Sequence, residues 1–250
     1  MTMHIDLTGK TALITGASRG VGRAAALALR ASGARCVALA RDAAALDALA
    51  RADAGITALA ADLRDHEDVN RALDVFNEPI DMFVHCAAPM FDYAKIDQLT
   101  DEATEAQLDV GLRAPLWLCQ RLLPGMMTRR WGRVVLIGSI AASRGIIGSA
   151  HYNMVKAAQE SLSRSIALEY GRHGVSANTL TLGPIDGERL AIREQEHPGV
   201  RAKLIQESPL KRLPTDAQVA DIITFFCSDY AAPINGATLD ITCAAHLSAR

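Results

Sequence analysis

Short apolar runs alternate with helix-period segments along most of the chain. Residues 11–15 (TALIT), 36–40 (CVALA), 56–60, 82–86 (MFVHC) and 133–138 (RVVLIG) are compact and mostly apolar, and each predicts a strand, with 175–180 as another strand candidate. Between them, 23–32, 43–52 and 69–76 read as helices, the first stopped by Gly33. Residues 108–127 predict one long helix with Pro115 inside it, so a kink or early break is expected there. Val155, Ala158, Leu162, Ile166 and Tyr170 recur at spacings of three and four and mark one face of a further helix. This alternation implies a parallel sheet covered on both faces, an α/β fold in which 1–250 make one domain. The stretch 183–213 breaks the pattern. It is charged and interrupted by Pro184, Pro198 and Pro209, with Pro214 just beyond, and reads as an insertion over the sheet edge, with 184–213 as a substrate lid.

Composition narrows the class. A chain of 250 residues, 50% of them hydrophobic, buries enough core to fold without covalent staples. A net charge of −2 weighs against nucleic acid as a partner, because phosphate binding needs a dense basic surface. Cys36, Cys86, Cys119, Cys227 and Cys243 are odd in number and contain no C-x-x-C, which predicts free thiols and no metal site. The opening MTMHIDLTGK lacks a leader's long apolar stretch, and no run approaches bilayer length. The expectation is a soluble, cytoplasmic protein with no membrane contact.

Two stretches carry candidate chemistry. Between the first strand and the first helix stands TGASRGVG, with Gly16, Ser18, Arg19, Gly20, Val21 and Gly22. Glycines permit a tight turn and close backbone approach, and the helix start offers free N–H groups to a phosphate. The spacing G-x-x-x-G-x-G differs from the G-x-G-x-x-G of longer dehydrogenases. Arg41 follows the second strand, where an arginine would accept the 2′-phosphate of NADP(H), and Arg19 is a second candidate for it. Asp42 is the alternative: a carboxylate there would take a ribose 2′-hydroxyl instead. Asp62, after the third strand, is placed to contact adenine or simply to cap a helix.

The second stretch is SAHYNMVKAAQ, 149–159. Tyr152 and Lys156 lie one helical turn apart, and Ser139 ends a strand thirteen residues before the tyrosine. A free phenol has a pKa of about 10, too high for a base at neutral pH, and a lysine at i+4 would favour its phenolate.

Taken in this order, TGASRGVG, Ser139 and Tyr152-x-x-x-Lys156 resemble the short-chain dehydrogenase/reductase family over essentially the whole chain. RRWGRVVLIGSIAA, NMVKAAQESLSRSIALEYGRHGVSANTL and SPLKRLPTDAQVADIITFFCSD are most similar to its 3-oxoacyl-(acyl-carrier-protein) reductases. The resemblance implies a single-domain Rossmann fold, a doubly wound parallel sheet with helices on both faces. It implies Tyr152 as proton donor, Lys156 as holder of the nicotinamide ribose and Ser139 as hydrogen-bond donor to the substrate oxygen. Leu63, Cys86, Ala87 and Ile185 fall at cofactor-lining positions. A homotetramer built through 108–127 and 153–171 is expected.

Several departures stand out. His85-Cys86-Ala87-Ala88 replaces Asn-Asn-Ala-Gly, with His85 read as a satisfied buried histidine. Gly111, in Asp109-Val110-Gly111-Leu112, replaces a catalytic asparagine whose backbone carbonyl holds a water relaying protons to the lysine. A retained relay, a rerouted one and a slow or lost enzyme all remain open. Gly187 stands for a threonine, and Cys243-Ala244 for Gly-Gly.

The leading expectation is an NADPH-dependent ketoreductase acting on a ketone, with a 3-oxoacyl group held by an acyl carrier protein as one candidate substrate. Arg129, Arg130, Arg133 and Arg172 would form the carrier's basic rim, and Met90, Phe91, Tyr93, Ile146 and Ile147 the substrate entrance. The alternatives are a dehydrogenase of a small free hydrophobic alcohol, and an NADP(H)-binding sensor or structural subunit of low turnover.

Overall fold

The structure, a computed structural model, describes residues 4–90 and 93–247. Its strands are Thr11–Thr15 (β1), Arg35–Ala40 (β2), Ile56–Ala60 (β3), Met82–His85 (β4), Gly132–Ser139 (β5), Val175–Leu182 (β6) and Thr238–Ile241 (β7). They form one all-parallel sheet in the order β3-β2-β1-β4-β5-β6-β7. Successive strand residues feed opposite faces, as the period of two requires. Ala12, Ile14, Met82, Val84, Val135 and Ile137 enter one core. Leu13, Phe83, Val134 and Leu136 enter the other.

Helices Gly20–Ala31 (α1), Ala43–Ala52 (α2) and Asp216–Phe226 (α10) cover the first face, through Leu29, Leu46, Leu49, Val219 and Ile223. His66–Phe76 (α3), Ala114–Arg129 (α5) and Ala150–Tyr170 (α7) cover the second, through Val69, Leu118, Leu122 and Ile166.

The long helix expected over 108–127 is present, with its expected irregularity just ahead of Pro115. Asp101–Leu108 (α4) runs into a π-helical turn, Asp109–Arg113, before α5 begins. Pro115 sits in the first turn of α5. The irregularity falls just upstream, because Pro115 has no N–H to give the carbonyl of Gly111 four residues back. A one-turn helix, Ala141–Arg144 (α6), follows β5, and the 183–213 stretch holds two helices, Glu188–Glu196 (α8) and Val200–Glu207 (α9). Strand β7 is exposed at three of its four residues, so no apolar run announced it. Helix α10, not among the elements expected from the sequence, starts on a reciprocal capping box between Thr215 and Gln218.

Candidate active site

The chain winds outward in one direction through β1, β2 and β3, then in the other from β4. The crevice therefore opens at the carboxyl ends of β1 and β4, where open α/β sheets bind ligands. Gly16, with φ +69°, turns the chain out of β1. A Cβ on it would lie 2.9 Å from the Ala87 backbone just after β4, so this crossing requires glycine. The turn is tied to β2 by Gly16 N–H donating to the Leu39 carbonyl at 2.8 Å. Gly20 starts α1, three residues earlier than the sequence pattern suggested, with φ +55°. A Cβ on Gly22 would collide with the Gly16 carbonyl. Gly20, Val21 and Gly22 thus present first-turn N–H groups to the crevice, an arrangement that fits a pyrophosphate.

Arg41 follows β2 directly and is exposed, as is Arg19. Asp42, the alternative ribose ligand, instead caps α2 by accepting the Ala45 N–H at 3.0 Å. Asp62 is engaged in two directions: Arg64 clamps its carboxylate, and its N–H donates to Asp68 at 2.9 Å. The Arg64 pairing holds its carboxyl below the usual range. An adenine contact there would compete with both. Leu63 and Ala87 are buried, Ser18 and Cys86 half-buried. His85 is buried as expected but only half satisfied: its Nδ1 shares a hydrogen bond with Thr15 Oγ1 at 2.9 Å, while its buried Nε2 meets no hydrogen-bond partner among the described residues. Burial, with the Lys156 charge adding, drops its pKa to about 3.

Ser139 ends β5 and is paired in register with Leu182 of β6. Its hydroxyl accepts the Ala141 N–H at 3.2 Å and hydrogen-bonds Tyr152. Tyr152 and Lys156 project from the first two turns of α7 on one face. Burial raises the phenol above its usual pKa, opposed by the Ser139 hydrogen bond and the Arg189 charge. Lys156, expected to lower it, holds its ammonium over the phenol ring, 5.6 Å from the centroid, and gives its hydrogen bonds to other groups. That ammonium is 3% exposed and donates to the Ile137 carbonyl at 2.6 Å and to Gln159 Oε1 at 3.0 Å. Burial pulls its pKa down to about 8, with Arg189 pulling the same way and Cys86 opposing.

Two residues at this site escaped the sequence reading. Gln159, fully buried, follows Lys156 by three, and its Nε2 donates to the Gly111 carbonyl at 2.6 Å. Its signal was a second, polar stripe on α7: Tyr152, Lys156, Gln159 and Ser163 at spacings of four, three and four. Arg189, on α8, reaches across to the Pro89 carbonyl at 3.0 Å and to Met90 Sδ at 2.9 Å. No local signal marked it.

At the expected entrance, Met90, Tyr93 and Ile147 are exposed and Ile146 half-buried, with the Arg193 guanidinium 5.8 Å from the Tyr93 ring centroid. Phe91 lies outside the described residues. Ile185 is half-buried against the core. At 187 a side chain would collide with Asp216, whose carboxylate accepts the Glu188 N–H and caps α8. Glycine there makes room for that cap. The four arginines assigned to a basic rim do not border the site. They lie at the amino ends of β5 and β6, about 20 Å down the sheet from Ser139. Arg129 pairs with Asp81 at 2.9 Å, and Arg133 is buried against Asp229 at 2.8 Å. Among the described residues no cluster of three or more His, Cys, Asp or Glu could hold a metal, and no helix is long and apolar enough to cross a membrane.

A half-buried phenol at the carboxyl-end crevice of a doubly wound sheet, beside a glycine turn shaped for a pyrophosphate, fits the class of α/β dehydrogenases and reductases. Comparison with known proteins narrows it. A family model described as enoyl-(acyl carrier protein) reductase matches residues 16–243, and the chain belongs to the short-chain dehydrogenase/reductase family. L-xylulose reductase of Bos taurus is 32% identical over 244 residues, 96% of this chain and 97% of the relative. The 3-oxoacyl-(acyl-carrier-protein) reductase MabA of Mycobacterium tuberculosis is 29% identical over 235 residues, 93% and 91% of the two chains. A solved 3-oxoacyl (acyl-carrier-protein) reductase from Agrobacterium tumefaciens with NADP bound superposes with a TM-score of 0.87 at 30% identity, covering 96% and 95%.

Proposed function

We propose that the protein reduces a ketone to a secondary alcohol with NADPH. The observation that carries this is the hydrogen bond between Ser139 and Tyr152 at the carboxyl end of β5, with Lys156 one turn further on. When bound, the dinucleotide supplies the hydride. The chain's own residues do the rest. The Tyr152 hydroxyl gives its proton to the carbonyl oxygen as negative charge develops there. Ser139 donates a hydrogen bond to the same oxygen. Lys156 holds the ribose hydroxyls and keeps a positive charge behind the phenol.

Gly16 to Gly22 cradle the pyrophosphate, Arg19 and Arg41 take the 2′-phosphate, and the Ile185 backbone takes the carboxamide. Leu63, Cys86 and Ala87 line the adenosine side. The NADP bound to the Agrobacterium tumefaciens relative supports the cofactor choice, as does the diversion of Asp42 into a helix cap.

For substrate, likeness to L-xylulose reductase supports a small free ketone, and likeness to MabA supports a carrier-bound 3-oxoacyl group. We favour the small free ketone, because the arginines that would dock an acidic carrier stand at the far end of the sheet. Helices α8 and α9 serve as the lid, with Arg189 tethering them to the Pro89–Met90 segment. Assembly as a homotetramer is supported by exposed Leu116 on α5 and Leu168 on α7, and a reducing cytoplasm suits the free thiols.

The test is NADPH consumption with a panel holding a ketose, a small hydrophobic ketone and an acetoacetyl thioester. Turnover confined to the thioester reverses the substrate choice. Tight NADPH binding with no turnover of any ketone replaces the enzyme with the low-turnover binder.

A further inference from the structure

Gln159 connects two groups that nothing else in the described structure joins. On one side its Oε1 accepts from the Lys156 ammonium at 3.0 Å. On the other its Nε2 donates to the Gly111 carbonyl at 2.6 Å. The amide can sit only this way round, since an ammonium is purely a donor and a carbonyl purely an acceptor. That carbonyl is available because Pro115 has no N–H to offer it. A Cβ at residue 111 would stand at an ordinary 3.7 Å from Gln159 Nε2 but would collide with Val155 Cγ1, so it is the packing of Val155 beside the amide that requires glycine there. Glycine, proline, valine and glutamine thus form one buried assembly ending on the Lys156 ammonium.

We propose that Gln159 is a positioning residue for Lys156, tying its ammonium through a side-chain amide to the Gly111 carbonyl of the π-helical turn. With Ile137 O as second acceptor, two of the three ammonium N–H groups are committed to fixed directions. The third is left for the Tyr152 and ribose side. Of the three options that Gly111 opened, this one replaces a water-held link with a fixed amide. It rests on reading Tyr152 and Lys156 as the proton-transfer end of the site. The other titratable or charged groups that face Lys156 are His85 and Cys86 from the end of β4, Tyr152 from α7 and Arg189 from α8.

The test reads Lys156 directly, through the pH titration of its side-chain carbon signal in lysine-labelled full-length protein. It is the buried one among the described lysines, and in the wild type it titrates at about 8. Gln159→Met keeps the volume and removes the acceptor, so the midpoint is expected to fall by about one to two units. Gln159→Glu puts a carboxylate beside the ammonium, so the midpoint is expected to rise by a similar ~1–2 units. A role in packing alone predicts no such opposition. Unchanged midpoints in both variants, or shifts in the same direction, overturn the proposal. If Gln159→Met does not fold, the upward shift in Gln159→Glu decides alone. Opposite shifts in a chain that turns over no ketone leave this role standing and overturn the proposed function, so the two fail separately.

Discussion

Val155 Cγ1 occupies the space that a Cβ on Gly111 would need. Both residues are buried and Val155 is β-branched, so its methyl has little freedom to move aside. Gly111→Ala is therefore expected to destabilise the protein by about 1–3 kcal/mol, although alanine is the better helix former. Val155→Ala in the same chain should recover part of the loss. Urea denaturation of the two single variants and the double variant checks this. A stabilised Gly111→Ala would mean that the clash is not felt.

Tyr152→Phe keeps the ring and removes the hydroxyl. Turnover is expected to fall by about 10²–10⁴-fold, with NADPH affinity and melting temperature little changed. Steady-state rates and a fluorescence titration of NADPH separate these effects. Retained turnover removes Tyr152 from its proposed role.

Arg41→Ala is expected to weaken NADPH binding about tenfold or more and to leave NADH binding unchanged, because the guanidinium fork meets only the 2′-phosphate. Equal affinities for the two cofactors, indifferent to Arg41, would rule out the NADP assignment.

Lys156 has a folded pKa of about 8, against 10.5 for the free side chain. Between these values the unfolded chain binds the proton more strongly than the folded one, so this residue's contribution to stability improves as pH rises through the window. Wild type should gain on Lys156→Met by up to about 3 kcal/mol from pH 8 to 10.5, whatever the offset between them at pH 7. Parallel denaturation curves over that range measure the slope. No pH dependence of the difference would show that Lys156 is not depressed.

Cys243 and Ala244 both sit at positive φ, 49° and 64°, where the family resemblance places Gly-Gly. Left-handed backbone costs an L-residue about 1–2 kcal/mol. Ala244→Gly is expected to stabilise the chain by about 1 kcal/mol, read as a rise in melting temperature. A fall would place the strain elsewhere.

What could be read from the sequence alone was local. The six strands expected from short segments of five or six residues, the turn from Gly16 to Gly22 and the Tyr152–Lys156 pair each depend on neighbours within a few positions. Backbone sterics, the two periodicities and an i+4 spacing suffice to place them. The alternation of elements carried the sheet, because a doubly covered parallel sheet demands apolar runs. The remainder depended on partners distant in the chain. Gln159 meets Gly111 from 48 positions away, and Arg189 meets Pro89 from 100. Asp42 stood as the alternative, a ribose ligand, until α2 took it as a cap. Arg129 and Arg133 looked like a docking rim until the strand direction put them at the wrong end of the sheet. A charge or an amide carries no local record of what will face it. Which end of a strand it occupies, and which buried group it must satisfy, are decided only when the sheet has closed and every polar atom inside needs a partner.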